Sequence, residues 1–180
     1  MIFCSASCKK ADSSQPSVFD FGDETPEAIA LVNDANIKLK AVKTMYKNSQ
    51  DKQIDLKTAM AEKDVEKVRQ LSDDFVTQLN EGMNLGEEAI KKIEEASEKK
   101  TNPKYQEYLG LKEQSLRKYL VAFEFRRKLA IRLRDVFTVS KDKNLIEKAK
   151  DELKVMEENF QTNIDAAQKL SDDAKELAKK

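Results

Sequence analysis

Histidine and tryptophan are absent from the 180 residues, and glycine (4), proline (3) and cysteine (2) are scarce. Without histidine, the chain lacks the side chain that most often shuttles protons near neutral pH and that ligates zinc and haem. It also lacks the Glu-x-x-His pairs found in di-iron helical bundles. We therefore expect a protein that is not an enzyme, with no catalytic, cofactor-binding or metal-binding residues and no small-molecule substrate.

An excess of either charge is also absent, since Lys+Arg and Asp+Glu both number 33. No net field favours nucleic acid or an acidic substrate, so nucleic acid is not an expected partner. Charged residues make up 37% of the chain and the hydrophobic set 39%. With so little glycine and proline, this composition is typical of long amphipathic helices with solvated outer faces.

Residues 116–137 contain neither glycine nor proline and carry the widest apolar face of the chain. One line of apolar residues at helical spacing comprises Leu116, Leu120, Phe123, Ala130, Leu133 and Phe137. A second line beside it comprises Val121, Phe125, Leu129 and Val136. A face this wide must be covered by more than one neighbour, so we expect this helix to be the central element of a bundle.

Apolar periodicity and turn residues divide the rest of the chain into three similar segments. Glu62-Lys63-Asp64 forms a predicted turn in which Asp64 caps a helix, and Asn102-Pro103 is the next cap and first turn. The predicted helices span residues 26–61, 64–99, 103–139 and 142–179. Short turns between long helices force antiparallel neighbours, which predicts an all-α, up-down-up-down four-helix bundle.

An alternative fold is a spectrin-like three-helix arrangement with the first helix broken near Asn48, where the apolar stripe fades. In the four-helix interpretation, Gly82 and Gly86 mark a close approach between helices or a gentle bend. The predicted core comprises Leu31, Leu39, Val42, Phe75, Leu79, Ile90, Leu116, Phe123, Leu133, Phe137, Leu153, Phe160 and Ile164.

A dense basic run begins at Arg126 and Arg127. Arg127 falls on the predicted core stripe, and the hairpins place it level with Asp73 and Asp74 and with Asp151. Because burying an unpaired guanidinium costs several kcal/mol, we predict a structural ion-pair cluster of Arg126, Arg127, Asp73 and Asp74. In the functional alternative, Arg126, Arg127 and Arg134 are exposed together and bind an anion.

Residues 1–25 differ from the remainder. Residues 1–8 are apolar and rich in small side chains, and the polar stretch that follows has no period and forms a predicted flexible tether. The box Ser5-Ala6-Ser7-Cys8 resembles the end of a bacterial lipoprotein signal peptide, although Ser5 stands where that family usually has leucine. The resemblance implies cleavage before Cys8 and a lipid on that cysteine. It also implies a position in the cell envelope, on the periplasmic side or surface of the outer membrane.

Two functional interpretations follow. In the first, the chain is a cell-envelope lipoprotein with a membrane-bound lipid at Cys8 and a non-catalytic bundle that binds a protein partner or acts as a spacer. In the second, it is a soluble intracellular adaptor without lipid, and Cys4 and Cys8 are ordinary thiols of a cytoplasmic protein. Two thiolates with no other cysteine or histidine cannot complete a zinc site.

Overall fold

The computed structural model describes residues 26–139 and 143–179. These residues form four helices and no strand: α1 (Pro26–Glu62), α2 (Val65–Ser97), α3 (Pro103–Val139) and α4 (Lys143–Lys179). The predicted all-α four-helix bundle is confirmed, and each helix end lies within two residues of the predicted one. Because α1 continues without interruption through Asn48, the three-helix alternative is wrong.

Two sequence predictions fall on residues 1–25. They are the flexible tether and the lipid attachment at Cys8. All of these residues lie outside those that the structure describes.

The turn between α1 and α2 is as tight as the sequence predicts. Lys63 adopts a left-handed conformation with φ of 58°, and its backbone N–H donates to the carbonyl of Met60 at 3.2 Å. The carboxylate of Asp64 then accepts a 3.0 Å hydrogen bond from the backbone N–H of Lys67, which satisfies a donor at the start of α2. This turn reverses the chain within two residues.

The turn between α2 and α3 is held by side chains on both of its sides. Asn102 caps α3 by accepting a 2.8 Å hydrogen bond from the backbone N–H of Tyr105. The amide of Gln106 donates to the carbonyls of Ser97 and Lys99 at 3.2 Å and 3.1 Å. These bonds tie the first turn of α3 to the last turn of α2.

The helices pack in chain order, with close contacts between α1 and α2, α2 and α3, and α3 and α4. One core cluster joins Ala28 near the start of α1 to Ile93 of α2, Leu109 of α3 and Ala174 near the end of α4. The described chain therefore enters and leaves the bundle at the same end. This cluster fixes the antiparallel order that the short turns predict.

The predicted core is correct at its centre and less deeply buried at its edges. Buried members are Val42, Phe75, Leu79, Ile90, Leu116, Phe123 and Phe160. Half-buried members are Leu31, Leu39, Leu133, Phe137, Leu153 and Ile164. The second apolar line of α3 is not a continuous buried face, because Val121 is 42% exposed.

Two glycines of α2 allow α3 to approach closely. A Cβ atom placed on Gly82 would lie 2.7 Å from Cε2 of Phe123, and one on Gly86 would overlap the side chain of Leu120. Both glycines are buried. The close approach that their spacing predicts is therefore present between α2 and α3.

Candidate functional site

The bundle is open along the side where α1 faces α4. Among the described residues, close backbone packing joins α1 to α2, α2 to α3 and α3 to α4, and α1 and α4 approach each other much less extensively. We call the space between them, with α3 as its floor, the α1–α4 seam. Two cavities lie in this seam, and side chains of α1, α3 and α4 line both of them.

The floor of the seam follows a seven-residue spacing along α3. Leu109, Leu116, Phe123 and Ala130 occupy one core position of this heptad. The other core position holds Tyr105, Lys112, Tyr119, Arg126 and Leu133. The second set is mostly polar or polar-tipped, and two of its members, Lys112 and Leu133, each line a cavity of the seam.

The first cavity, of about 360 Å³, is here called the lysine groove. Its lining comprises Asn36, Leu39 and Lys43 of α1, Tyr108, Lys112 and Ser115 of α3, and Ser171, Ala174, Lys175, Ala178 and Lys179 of α4. Lysines from three different helices therefore surround an apolar interior. The hydroxyl of Ser115, buried beneath them, donates a 2.7 Å hydrogen bond to the carbonyl of Ala167 and ties α3 to α4.

The lysines of this groove are not equally neutralised. Nζ of Lys175 lies 2.7 Å from Oδ1 of Asp172, and Nζ of Lys179 lies 2.6 Å from Oε1 of Glu176. Lys43 and Lys112 form no ion pair with any described residue. Their Nζ atoms lie over aromatic rings instead, that of Lys43 at 5.7 Å from the centroid of Tyr119.

Lys112 is the most strongly perturbed titratable group of the groove. Burial, with the nearby charges of Lys43 and Lys175, lowers its pKa from 10.5 to about 8. Its Nζ donates to Oδ1 of Asn36 and lies 5.3 Å from the ring centroid of Tyr108. Burial likewise lowers the pKa of Lys43, and the charge of Lys175 adds to that effect while Asp172 opposes it.

The second cavity, of about 310 Å³, is here called the leucine groove. Its lining comprises Gln53, Leu56, Lys57 and Met60 of α1, Leu129 and Leu133 of α3, and Leu153, Lys154 and Glu157 of α4. Four leucines and a methionine dominate this lining, so the groove presents mainly apolar surface.

A mid-bundle cluster separates the two grooves and contains Tyr46, Phe123, Arg126, Glu157 and Phe160. The ring of Tyr46 lies 6.4 Å from that of Phe123 and 5.9 Å from that of Phe160, so side chains bridge α1 and α4 here. The guanidinium of Arg126 stacks on Phe160 at 3.7 Å and donates a 2.7 Å hydrogen bond to Glu157. Arg126 is only 6% exposed.

The predicted ion-pair cluster of Arg126, Arg127, Asp73 and Asp74 is wrong as a unit. Arg126 is the buried arginine, and burial lowers its pKa while Glu157 opposes that shift. Arg127 is half-buried and pairs with Glu124 of its own helix at 2.8 Å, rather than with Asp73, Asp74 or Asp151. Asp73 instead accepts a 2.7 Å hydrogen bond from Arg134.

The basic run is structurally paired, although its pairs differ from those predicted. Arg126 and Arg132 bind the α4 residues Glu157 and Glu152, each at 2.7 Å. Arg134 binds α2 through Asp73. The exposed anion site of Arg126, Arg127 and Arg134 that formed the alternative is therefore not present.

Three of the four tyrosines lie inside the core. Tyr105, Tyr108 and Tyr119 are 2%, 5% and 5% exposed, and the rings of Tyr105 and Tyr108 stack at 5.7 Å. Burial raises the pKa of Tyr108 to about 12. Its phenol therefore stays neutral at physiological pH and contributes an aromatic wall to the lysine groove.

Within the residues that the structure describes, no helix combines the length and the apolar character that crossing a membrane requires. The same residues contain no group of three or more side chains arranged as metal ligands. Comparison of the chain with protein-family models, with curated proteins and with solved structures finds no match.

Sequence reasoning alone did not identify the lysine groove. A signal was present in α3, where Lys112 follows Tyr105 and precedes Tyr119 at intervals of seven residues. A lysine at a core position of a heptad indicates a polar site inside a bundle. The contributions of Lys43 and Lys175 depend on how far α1 and α4 stand apart, which no local pattern specifies.

Proposed function

We propose that this chain is a cell-envelope lipoprotein, anchored by a lipid at Cys8, whose helical bundle is a non-catalytic binding module. The observation that carries the binding half is the α1–α4 seam with its two grooves. The anchoring half is supported by the resemblance of Ser5-Ala6-Ser7-Cys8 to the end of a lipoprotein signal peptide.

The shape of the seam supports binding. Both cavities exceed about 300 Å³, the lower end of the range for small-molecule sites. Each combines apolar side chains with a few polar groups, and pockets that bind ligands share this composition. An up-down-up-down bundle that served only as a spacer would gain stability by closing α1 onto α4. We infer that the separation of these helices serves recognition.

The anchoring half is tested by mass spectrometry of native protein isolated from membranes. We expect Cys8 to be the first residue, to carry fatty acyl chains, and to be preceded by none of residues 1–7. Two or three chains are required, because one acyl chain binds a bilayer only marginally. Cys8→Ser should release the protein into the soluble fraction, whereas the control Cys4→Ser should leave it membrane-bound.

Intact Met1 on protein from a soluble fraction would refute the lipid anchor and favour the intracellular adaptor. The binding half is tested separately with a photo-crosslinking residue at Lys57, beside the leucine groove, and at Glu87 of α2 as the control. Both positions are exposed, and only Lys57 borders the seam. Equal crosslinking at the two positions would contradict binding along the seam.

A further inference from the structure

We propose that the lysine groove binds an unbranched fatty carboxylate, with its carboxylate between Lys43 and Lys112 and its alkyl chain along the apolar wall. This proposal rests on the binding half of the proposed function, for which it names the ligand class. It does not depend on a lipid at Cys8. The groove lies at the end of the bundle where α1 begins and α4 ends.

The charge of the groove selects an anion. Four lysines line it, and the two on α4 are already paired with Asp172 and Glu176. Lys43 and Lys112 therefore supply the positive charge that described carboxylates do not neutralise by pairing. These two lysines come from different helices that converge on one cavity, so an anion between them would link α1 to α3.

The hydrogen-bond donors that line the groove favour a carboxylate as the headgroup of the ligand. An ammonium group donates along several directions and acts as a point charge, whereas an arginine presents the planar fork that suits bidentate phosphate binding. No arginine lines this groove. A carboxylate has two acceptor oxygens, one for each of the two ammonium groups. Asn36 already accepts a hydrogen bond from Lys112, which orients that ammonium.

The apolar part of the ligand follows from the walls. Leu39 of α1 and the buried ring of Tyr108 form two sides of the groove. On α4, Ala174 and Ala178 lie one turn apart, and their small side chains leave space that longer ones would fill. At about 360 Å³ the cavity admits an unbranched chain with a compact headgroup.

The titration of Lys112 supports this assignment. Groups facing it are Asn36 and Lys43 of α1, Tyr108 of α3, and Lys175, Lys179 and Asp172 of α4. Burial, together with repulsion from Lys43 and Lys175, depresses the pKa of Lys112. A bound carboxylate would offset that repulsion and raise the pKa again, so binding becomes coupled to proton uptake above about pH 8.

The test is calorimetric titration of the full chain with dodecanoate below its micelle concentration at pH 7. We expect saturable binding of one dodecanoate, with weaker binding of dodecanol and of dodecylammonium by roughly tenfold or more. Lys112→Met should weaken dodecanoate binding by roughly tenfold to a hundredfold, because it removes a charged donor but retains an unbranched side chain. The control Lys118→Met, at an exposed position of the same helix, should change affinity by less than about twofold.

A second variant blocks the groove without changing a charged residue. Ala178→Trp should fill the groove and abolish binding while circular dichroism shows an intact helical bundle. Raising the pH from 7 to 9.5 should weaken binding to the wild type more than binding to Lys112→Met. Dodecanoate bound equally by wild type, Lys112→Met and Ala178→Trp would show adsorption elsewhere and overturn the proposal.

Three further results would each overturn the proposal. Tighter binding of dodecyl phosphate than of dodecanoate would refute the carboxylate headgroup. Binding that appears only after removal of residues 1–24 would indicate that the acidic and aromatic segment 18–24 of the same chain fills the groove. Failure of dodecanoate to bind, with seam-specific crosslinking retained at Lys57, would refute the fatty carboxylate and leave the binding module standing.

Discussion

Two buried serines differ in whether their hydroxyl groups find a partner. Ser72 of α2 is fully buried, and its Oγ forms no hydrogen bond with any residue that the structure describes, whereas Ser115 of α3 donates to the carbonyl of Ala167. A buried hydroxyl without a partner retains the cost of leaving water, which a hydrogen bond otherwise offsets. The same residue type therefore has opposite effects at two positions of one core.

We expect Ser72→Ala to raise the free energy of unfolding by about 1 kcal/mol and Ser115→Ala to lower it by about 1 kcal/mol. Both changes bring the same gain in helix propensity, so the difference between them isolates the hydrogen bond. Urea denaturation of the two variants and the wild type measures it. Equal shifts of the two midpoints would contradict this account.

Lys112 gives the stability a characteristic dependence on pH. Its pKa is about 8 in the folded chain against the usual 10.5, so between these values the unfolded chain binds more protons. Stability therefore rises with pH through this window, and the cost of burying the charge is fully present below about pH 8. The slope that one group contributes cannot exceed about 1.4 kcal/mol per pH unit, and partial solvation reduces it.

Chemical denaturation of the wild type and of Lys112→Met at several pH values from 7 to 10.5 tests this prediction. The free energy of unfolding of the wild type, minus that of Lys112→Met, should increase as the pH rises. Comparison with the variant removes the opposing contribution of Tyr108, whose pKa is raised to about 12. A difference that stays constant across the range would refute the buried charge.

Arg126 and Arg127 are neighbours in sequence and differ in what their ion pairs stabilise. Arg126 is buried against Phe160 and bound to Glu157, while Arg127 and Glu124 form a half-exposed pair three residues apart. Removing the partner of a buried charge leaves that charge unsatisfied. Removing one partner of a surface pair within a helix costs little.

We expect Glu157→Gln to lower the free energy of unfolding by about 1–3 kcal/mol and Glu124→Gln by no more than about 0.5 kcal/mol. Arg126→Met should cost less than Glu157→Gln, because it retains the contact with Phe160 and leaves Glu157 in contact with water. Thermal denaturation at low and high salt measures all three. A larger effect for Glu124→Gln would reverse the assignment of the buried pair.

At the scale of the helix, the contact between α2 and α3 depends on Gly82. The ring of Phe123 is only 1% exposed and cannot move away from an added Cβ at 2.7 Å without displacing other core residues. Gly110 of α3 provides the matched comparison, since a Cβ there would meet no described atom beyond its own helical backbone within 4 Å. Both glycines lie inside helices.

We therefore expect Gly82→Ala to lower the free energy of unfolding by about 1–3 kcal/mol despite the gain in helix propensity. Gly110→Ala should raise it by about 1 kcal/mol, because only the propensity term remains. Midpoints of thermal unfolding give both values. Stabilisation by both substitutions would show that α2 and α3 do not approach closely at Gly82.

The helices themselves could be predicted from sequence because caps, turns and apolar periodicity are local. The side chains of Asp64 and Asn102 cap the starts of α2 and α3, so these two residues mark the turns in the sequence. The register of α3, which decides which of its residues lie in the core, was harder to predict. Counting four residues from Phe123 places Arg127 in the core, whereas the heptad continues by three residues and places Arg126 there.

At the scale of the whole molecule, the antiparallel order could be predicted from turn length, and the open seam could not. Short turns of two to five residues specify which helices are antiparallel neighbours along the chain. Between α1 and α4 the rings of Tyr46 and Phe160 meet at 5.9 Å, and no local sequence pattern specifies the helix separation found there. The candidate site occupies that space, so its lysines converge only after the fold is known.

Burial along α3 decreases toward the end that carries the α1–α2 turn. Leu109, Leu116 and Phe123 are 0–1% exposed, whereas Leu133 and Phe137 are half-buried. Regions with less buried apolar contact open at lower free energy. Amide hydrogen exchange should therefore be slower over residues 109–123 than over residues 131–137. Uniform protection along α3 would show that the bundle opens as a single unit.

Because the described chain enters α1 and leaves α4 at one end of the bundle, a force applied between residues 26 and 179 acts across the helices rather than along them. Such a pull separates α1 and α4 from the end of the seam and breaks side-chain contacts a few at a time, like a zipper. With a membrane attachment at one terminus and a load at the other, the bundle would yield at low tension. Attachment points at opposite ends would instead load all the contacts in shear at once.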